Sequence, residues 1–300
     1  MDSSLPSVSL IIPACNAARW IVECLESVRA LQYPSEKLQV IVVDNKSTDG
    51  TGGLVRQCGF EPVVCERPGA SAARNLGLSR AAGAIAAFLD SDAVADPDWL
   101  LHLVEPFREP AVVGVGGQIT PYRVVTGPEW HAVLCRVLDQ EKHLAGAPPF
   151  MLPFVATANA AYRTEALRAV GGFDETFTIG EDADLAWRLQ WEGGRIVYAG
   201  GARVRHRNRS GRKEYFRQVF NYGRGTVRLF AKHRRRLGRR TWIEWSHFGV
   251  ILRALVRAPV MPFLAREPWQ RVMPLYDLVS ALCWTAGRIT ESCKRRVIVI

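Results

Sequence analysis

Residues 87–100 read AFLDSDAVADPDWL. The apolar run AIAAFL (84–89) suits a buried strand, yet it ends on two carboxylates, Asp90 and Asp92, with only Ser91 between them. In an extended chain residues i and i+2 point the same way, so the two charges converge and repel. A cation between them relieves that cost. Oxygen donors favour Mg2+ or Mn2+, which retain water and bridge diphosphate oxygens. A second reading stays open, because Asp90, Asp92, Asp96 and Asp98 all precede or open a helix. Asp96-Pro97 is itself expected to start one, with the aspartate as N-cap and the proline at the first helical position.

Outward from this stretch, VSLII (8–12), LQVIVV (38–43) and EPVVC (61–65) are further short apolar or β-branched runs, separated by gaps long enough for helices over 17–31, 51–59 and 71–82. Repeated strand–helix units imply an α/β fold with a mostly parallel, right-handed central sheet, whose ligands gather at the carboxyl ends of the strands. Asp44 and Asp90 both follow such an end. PAVVGVGGQITPY (110–122) reads as another strand and 130–143 as a helix, while AGAPPFMLPF (145–154) reads as a loop bordering a cleft. The pattern resumes with a helix over 164–170, a helix in EDADLAWRLQWEGG (181–194) stopped by glycine, and the strand RIVYA (195–199). Past about residue 210 the composition changes to basic helices with interleaved Trp and Phe. The expected organisation is a catalytic domain over 1–210 and a basic, amphipathic helical extension over 211–300.

With 48% hydrophobic and 23% charged residues in 300, the chain can bury a real core. The seven cysteines form no CxxC pair, which points to reduced thiols of a cytosolic compartment and away from a disulfide framework or a zinc site. Net charge is +10, but residues 195–240 alone carry +15 and the remainder −5. Such a patch suits nucleic acid, anionic lipid or a phosphate-bearing substrate. No helix-turn-helix, zinc-finger or RNA-recognition signature accompanies it, so no specific nucleic-acid partner is expected. The opening MDSSLPSVSL lacks a signal-peptide pattern, and the longer apolar runs are interrupted by proline or arginine, so no membrane span is expected.

Several side chains join the acid pair at the expected strand ends. Asp44, in VVDNKSTDGT, is suited to a ribose hydroxyl or base N–H, or equally to a turn. Arg67 and Arg74, in RPGASAARNLG, offer donors for phosphate or base, or else surface ion pairs. Glu181 and Asp182 open a helix, where caps are common and the N-terminal dipole would keep Asp182 ionised. Gly172 and Phe173 lead into it, and the glycine also suits a helix stop. His206 ends the strand-like ARVRH among arginines.

Taken in order, VSLIIPACN, VVDNKSTDGT, ASAARNLG, FLDSDA and VGGFDETFTIGEDADLAWRLQWEGG make residues 7–207 resemble family 2 glycosyltransferases, the inverting nucleotide-sugar enzymes of the GT-A fold. The resemblance implies that Asp44 contacts the nucleoside, with Arg67, Arg74 and Asp90 also on the nucleotide. It implies that Asp92 and Asp90 form a DxD metal site approached by His206. Asp182 becomes the catalytic base, with Glu181, Gly172 and Phe173 on the acceptor side. A departure stands at Asn45, where a second aspartate is frequent, which bears on nucleobase choice. A QxxRW motif is missing after Gln218, so transfer of a single sugar is expected, from a UDP-sugar in preference, to a glycan or lipid-linked acceptor in envelope synthesis. Two other functions fit parts of the pattern: a sugar-nucleotide pyrophosphorylase, which would want a glycine-rich phosphate loop that VSLIIPACNAARW lacks, and a non-catalytic nucleotide-sugar or lipid-binding protein.

The C-terminal part suggests a membrane surface. WIEWSHFGVILRALVR (242–257) places Trp242, Trp245, Phe248, Ile251, Leu252 and Leu255 on one helical face with Arg253 and Arg257 beside it, as in a helix lying in the headgroup layer. PLYDLVSALCWTAGRI (274–289) lies beside it or packs on the catalytic domain. The expected location is the cytoplasm, peripheral on the inner face of the membrane.

Overall fold

The computed structural model describes residues 5–146, 152–243 and 245–299. Two compact units form, one from Met1–Tyr122 with Leu138–Arg207, the other from Arg123–Val137 with Asn208–Ile300.

The first unit is built on an eight-stranded sheet. Its strands are β1 (Val8–Ala14), β2 (Leu38–Asp44), β3 (Val63–Val64), β4 (Ile85–Leu89), β5 (Ala93–Ala95), β6 (Val112–Pro121), β7 (Asn159–Arg163) and β8 (Arg195–His206), in the order β3-β2-β1-β4-β7-β6-β8-β5. The ladders β1/β2, β1/β4, β2/β3 and β6/β8 are parallel; β4/β7, β6/β7 and β5/β8 are antiparallel. Helices α1 (Ile21–Arg29), α2 (Thr51–Gln57), α3 (Ala70–Arg80) and α4 (Trp99–Val104) occupy the crossovers of the N-terminal part. β4 shows why the run before Asp90 is apolar throughout. Ile85, Ala87 and Leu89 pack with Ile21 and Leu25 of α1 and Trp99 of α4, while Ala86 and Phe88 pack with Ala73 of α3 on the opposite face. A strand covered on both sides leaves no position for a polar residue until it emerges, and Asp90 is the first to emerge.

Three boundaries depart from the sequence expectation. α4 begins at Trp99, so Asp96 and Pro97 form the preceding turn, closed by the Trp99 amide donating to the Asp96 carbonyl at 3.0 Å. β8 continues through Gly200-Gly201 to His206, absorbing the glycines in a register shift between Gly117 and Gln118 of β6. The helix expected over 130–143 is two, α5 (Gly127–Leu134) and α6 (Gln140–Ala145), because Arg136 turns left-handed at φ 54° between them. Of the expected cleft loop 145–154, residues 147–151 lie outside the described residues. Helices α7 (Thr164–Ala169) and α8 (Glu181–Trp191) complete the first unit.

The second unit contains α5, α9 (Arg212–His233), α10 (Trp245–Arg257), α11 (Met261–Leu264) and α12 (Pro268–Arg295), with a two-stranded ladder of β9 (Thr241–Trp242) and β10 (Ile298–Val299). Residues 123–137 group here, where the sequence reading had them in the catalytic domain. Trp130 of α5 stacks on Trp269 of α12 at 4.5 Å. The His131 ring binds both the Tyr215 hydroxyl of α9 at 2.6 Å and Asp277 of α12 at 3.0 Å. Trp242 is a buried β9 residue, not part of the α10 face. α9 and α12 meet where Gly223 and Gly287 permit close approach. Just beyond, fully buried Glu291 receives Arg224, Arg228 and Arg295 at 3.0, 2.8 and 3.1 Å. Part of the basic patch is therefore internal counter-charge.

Two stability tests follow from these contacts. In Gly77→Ala helix propensity alone gains about 1 kcal/mol, but the added Cβ falls 2.4 Å from Ile11 Cγ2 under α3. The crowding costs about 1–3 kcal/mol, so urea denaturation should show a net loss. Glu291 is desolvated, which disfavours its charge, but its arginines outweigh this and hold its pKa down at about 2. Its contribution is present above the ordinary glutamate pKa and is lost as pH falls towards 2. Glu291→Gln should lower stability at neutral pH by about 3 kcal/mol and flatten the acid limb of the melting curve.

Candidate active site

Asp90 leaves the end of β4, and Asp92 stands immediately before β5. Because Ala93 of β5 pairs with His206 of β8, the histidine is delivered beside the acid pair. His206 Nε2 lies 3.1 Å from Asp92 Oδ1 and 3.6 Å from Asp90 Oδ2. Burial works against the imidazolium, but the two carboxylates outweigh it and raise the His206 pKa well above neutrality. Asp90 is likewise desolvated, yet hydrogen bonds and charge from His206 and Arg74 hold it below the usual carboxylate range. The repulsion between the paired acids is thus met by cationic side chains of the chain itself.

On the other side of Asp90 stands Arg74 of α3, nearly buried, with one guanidinium nitrogen 3.4 Å from Asp90 Oδ1 and the other 2.9 Å from Glu181 Oε1. The same guanidinium lies 5.7 Å from the centre of the Phe173 ring, which packs edge-on against Phe88 of β4. Arg74 therefore ties the strand end to the first turn of α8. That helix starts at Gly180, whose φ of +91° favours glycine, and it presents Glu181 and Asp182 at once. Asp182 is held by Thr157, the hydroxyl donating to Oδ1 at 2.8 Å and the amide approaching Oδ2 at 3.3 Å.

The electrostatics of Asp182 correct the helix-dipole expectation. Burial raises its pKa, the adjacent Glu181 charge raises it further, and Arg74 with the Thr157 hydroxyl offsets only part of this, leaving it at about 7. A carboxyl poised there exchanges protons near neutrality, as a general base must.

The structure brings Asp90, Asp92, His206, Arg74, Glu181 and Asp182 into one connected network and leaves other candidates outside it. Arg67 is two-thirds exposed and pairs with Glu175 at 2.8 Å. Asp44 accepts from the Ser47 amide at 3.0 Å at the end of β2. Phe173 is a core residue beneath Arg74, and Gly172 turns left-handed at φ 69° against the Asn75 side chain. Asn45 faces inward, its amide donating to the Arg67 carbonyl at 2.6 Å and the Cys65 carbonyl at 3.3 Å while its oxygen accepts from the Gly69 amide at 2.9 Å. An aspartate would lose both donations, so this position clips the loop that opens α3.

Sequence reasoning missed two supports. Thr157 lies 25 positions before Asp182, in a stretch with no periodicity. Arg207 donates to the Asp92 carbonyl at 3.3 Å while its guanidinium lies 3.8 Å from the Tyr122 ring centre and 4.7 Å from that of Trp20, and it also pairs with Glu23. It sat unnoticed in a run of arginines whose other members gave no reason to single it out.

Asp90, Asp92 and His206 each offer a ligand atom within 4.8 Å of the others. Two carboxylate oxygens and an imidazole nitrogen form a donor set that fits Mn2+ or Mg2+, provided the ion displaces the proton on His206.

Comparison with known proteins shows the family and the fold. A pre-mycofactocin glycosyltransferase of Mycobacterium tuberculosis is 31% identical over 236 residues, covering 75% of this chain and 48% of that protein, so the chain spans about half the length of that relative. Among solved structures, the mannosyltransferase PcManGT of Pyrobaculum calidifontis, in complex with GDP-mannose and Mn2+, is 25% identical at a TM-score of 0.61, covering 96% of this chain and 76% of that one. Glucosyl-3-phosphoglycerate synthase of Mycobacterium tuberculosis, with Mn2+, UDP-glucose and phosphoglyceric acid, is 21% identical at a TM-score of 0.57, covering 78% of this chain and 80% of that one, and shares the GT-A fold. A family model, glycosyl transferase family 2, matches residues 9–171, and the chain belongs to that family of glycosyltransferases.

Proposed function

We propose that this glycosyltransferase carries out metal-dependent, inverting transfer of a single sugar from a nucleotide-sugar, a UDP-sugar in preference, to an acceptor hydroxyl. The observation that carries the reading is the Arg74 bridge, which joins the acid pair suited to a metal and diphosphate to the helix turn bearing a carboxyl of near-neutral pKa. A metal-binding end and a proton-accepting end on one network are what a single displacement at an anomeric carbon requires.

Asp90, Asp92 and His206 would hold the divalent cation, whose chemistry is to neutralise charge on the departing nucleoside diphosphate. Asp44, at the end of β2, contacts the nucleoside, and Arg67 is available to phosphate if it exchanges its partner Glu175. Asp182 takes the proton of the acceptor hydroxyl as that oxygen bonds the anomeric carbon and the diphosphate leaves with the electron pair of the broken bond. Oδ1 holds the shorter hydrogen bond, from the Thr157 hydroxyl at 2.8 Å, and Oδ2 the longer one, from the Thr157 amide at 3.3 Å, so Oδ2 is the more available to accept the proton. Attack opposite the leaving group inverts the configuration. Glu181 stays paired with Arg74, and its charge keeps Asp182 basic. Gly172 and Phe173 shape the approach to α8 on the acceptor side.

The acceptor is proposed to be a glycan or lipid-linked hydroxyl of envelope synthesis, met on the cytoplasmic face of an anionic membrane. Support comes from the basic second unit and from the missing Arg-Trp pair after Gln218, which favours one addition over polymer growth.

Asp182→Asn should reduce transfer by at least about a thousandfold while leaving Mn2+-dependent nucleotide affinity within about twofold; retained turnover would remove Asp182 as the base. The pH profile of kcat supplies an independent check. A raised carboxyl pKa means the base is protonated below it, so the rate should rise with pH through about 7 and level off above. A profile flat from mildly acidic to mildly alkaline pH would contradict that assignment. Thr157→Val, which removes the donation to Oδ1, should move the midpoint upward.

A further inference from the structure

We propose that the outward face of α10 and α11 is the element by which the chain docks on an anionic bilayer, lying in the headgroup layer. The inference deepens the membrane part of the reading above and names the segment responsible. It rests on exposure in the second unit alone.

A helix packed on its own protein turns its apolar stripe inward. α10 does the reverse. Leu252, Leu255 and Val256, spaced as one helical face, are 64%, 53% and 63% exposed, whereas Ala254 is turned inward. On α11, Phe263 and Leu264 are 88% and 70% exposed. So many large apolar side chains exposed within thirteen residues, 252–264, are uncommon on a protein surface unless something covers them.

Charge identifies the cover. Within α10 and α11 the charged residues are Arg253 and Arg257, both exposed, with no aspartate or glutamate; Glu244 and the adjacent Arg266 and Glu267 border the segment in sequence. On α10, Arg253 and Arg257 flank the apolar stripe, where guanidinium groups can reach phosphates while the apolar side chains enter the acyl boundary. A symmetric contact through the two helices would bring Arg253 and Arg257 of both partners together with no acid on α10 or α11 to balance them, so self-association fits less well. Among the described residues no helix is long and apolar enough to cross a membrane.

The test uses the full chain in sedimentation with vesicles of phosphatidylcholine alone and of phosphatidylcholine with one-third phosphatidylglycerol. Wild type should partition about tenfold more strongly to the anionic vesicles, and high salt should weaken the binding. The double variant Phe263→Ser with Leu264→Ser removes two largely exposed apolar side chains and should lose about tenfold in partition. Arg253→Ser with Arg257→Ser should erase the preference for anionic lipid. Melting curves confirm that both variants remain folded. Wild type and the apolar variant partitioning alike would overturn the proposal. So would a dimer, seen by sedimentation velocity without lipid, that the apolar variant dissolves. Mn2+-dependent UDP binding is measured on the same samples and should be unchanged in both variants; its absence even in wild type would count against the transfer reading and not against the docking face.

Discussion

Negative charge concentrated at one sheet edge is the constraint around which the catalytic unit is arranged. Asp90, Asp92, Glu181 and Asp182 gather where burial makes the charges of Asp90 and Asp182 expensive, and two cationic side chains hold the set together. Arg74 spans Asp90 and Glu181, and His206 lies between Asp90 and Asp92. The compensation is incomplete. Asp182 receives hydrogen bonds from Thr157 and, among the described residues, no ion pair, so burial and the Glu181 charge keep its proton affinity high. A divalent cation would add charge at the acid pair, and the diphosphate it brings would subtract some, which makes the proton on Asp182 sensitive to whether the donor is bound.

The scaffold explains why these groups can be held so near one another. β4 is covered on both faces by apolar side chains, so Asp90 leaves a rigid strand end. β5 is only three residues long, but its pairing with β8 carries His206 to the acids and lets Arg207 grip the Asp92 carbonyl. α3 lies against β1 through Gly77, which brings Arg74 within reach of both Asp90 and α8. Each functional side chain is thus fixed by an element whose own packing is apolar and tight, the arrangement that preorganised sites need.

Much of this was legible in the sequence where local physics decided the outcome. The two-faced burial of β4 follows from AIAAFL, and the convergence of Asp90 and Asp92 follows from strand geometry. The pairing of Glu181 and Asp182 at a helix start is visible after Gly180. Less legible were features that depend on distant partners. Thr157 holds Asp182 from a segment without periodicity, and Arg74 has two acidic partners that only the packing of α3 reveals. The position of α4 shifted because Asp96-Pro97 satisfies a turn as well as it satisfies a cap. Residues 123–137 joined the second unit through the Trp130–Trp269 stack and the His131 hydrogen bonds, all made across more than eighty positions of sequence. The dipole argument for Asp182 places it correctly in the first turn of α8 and misjudges its proton affinity, since burial and Glu181 outweigh a helix terminus.

Calorimetric titration of the purified protein with UDP, in the presence and absence of Mn2+, tests the central claim most directly. UDP should bind measurably only with the metal, and Asp92→Ala should abolish that dependence in a protein that still melts cooperatively. Equal binding with and without Mn2+, or unaltered metal dependence in Asp92→Ala, would contradict the assignment of the acid pair as the metal-bearing end of the site.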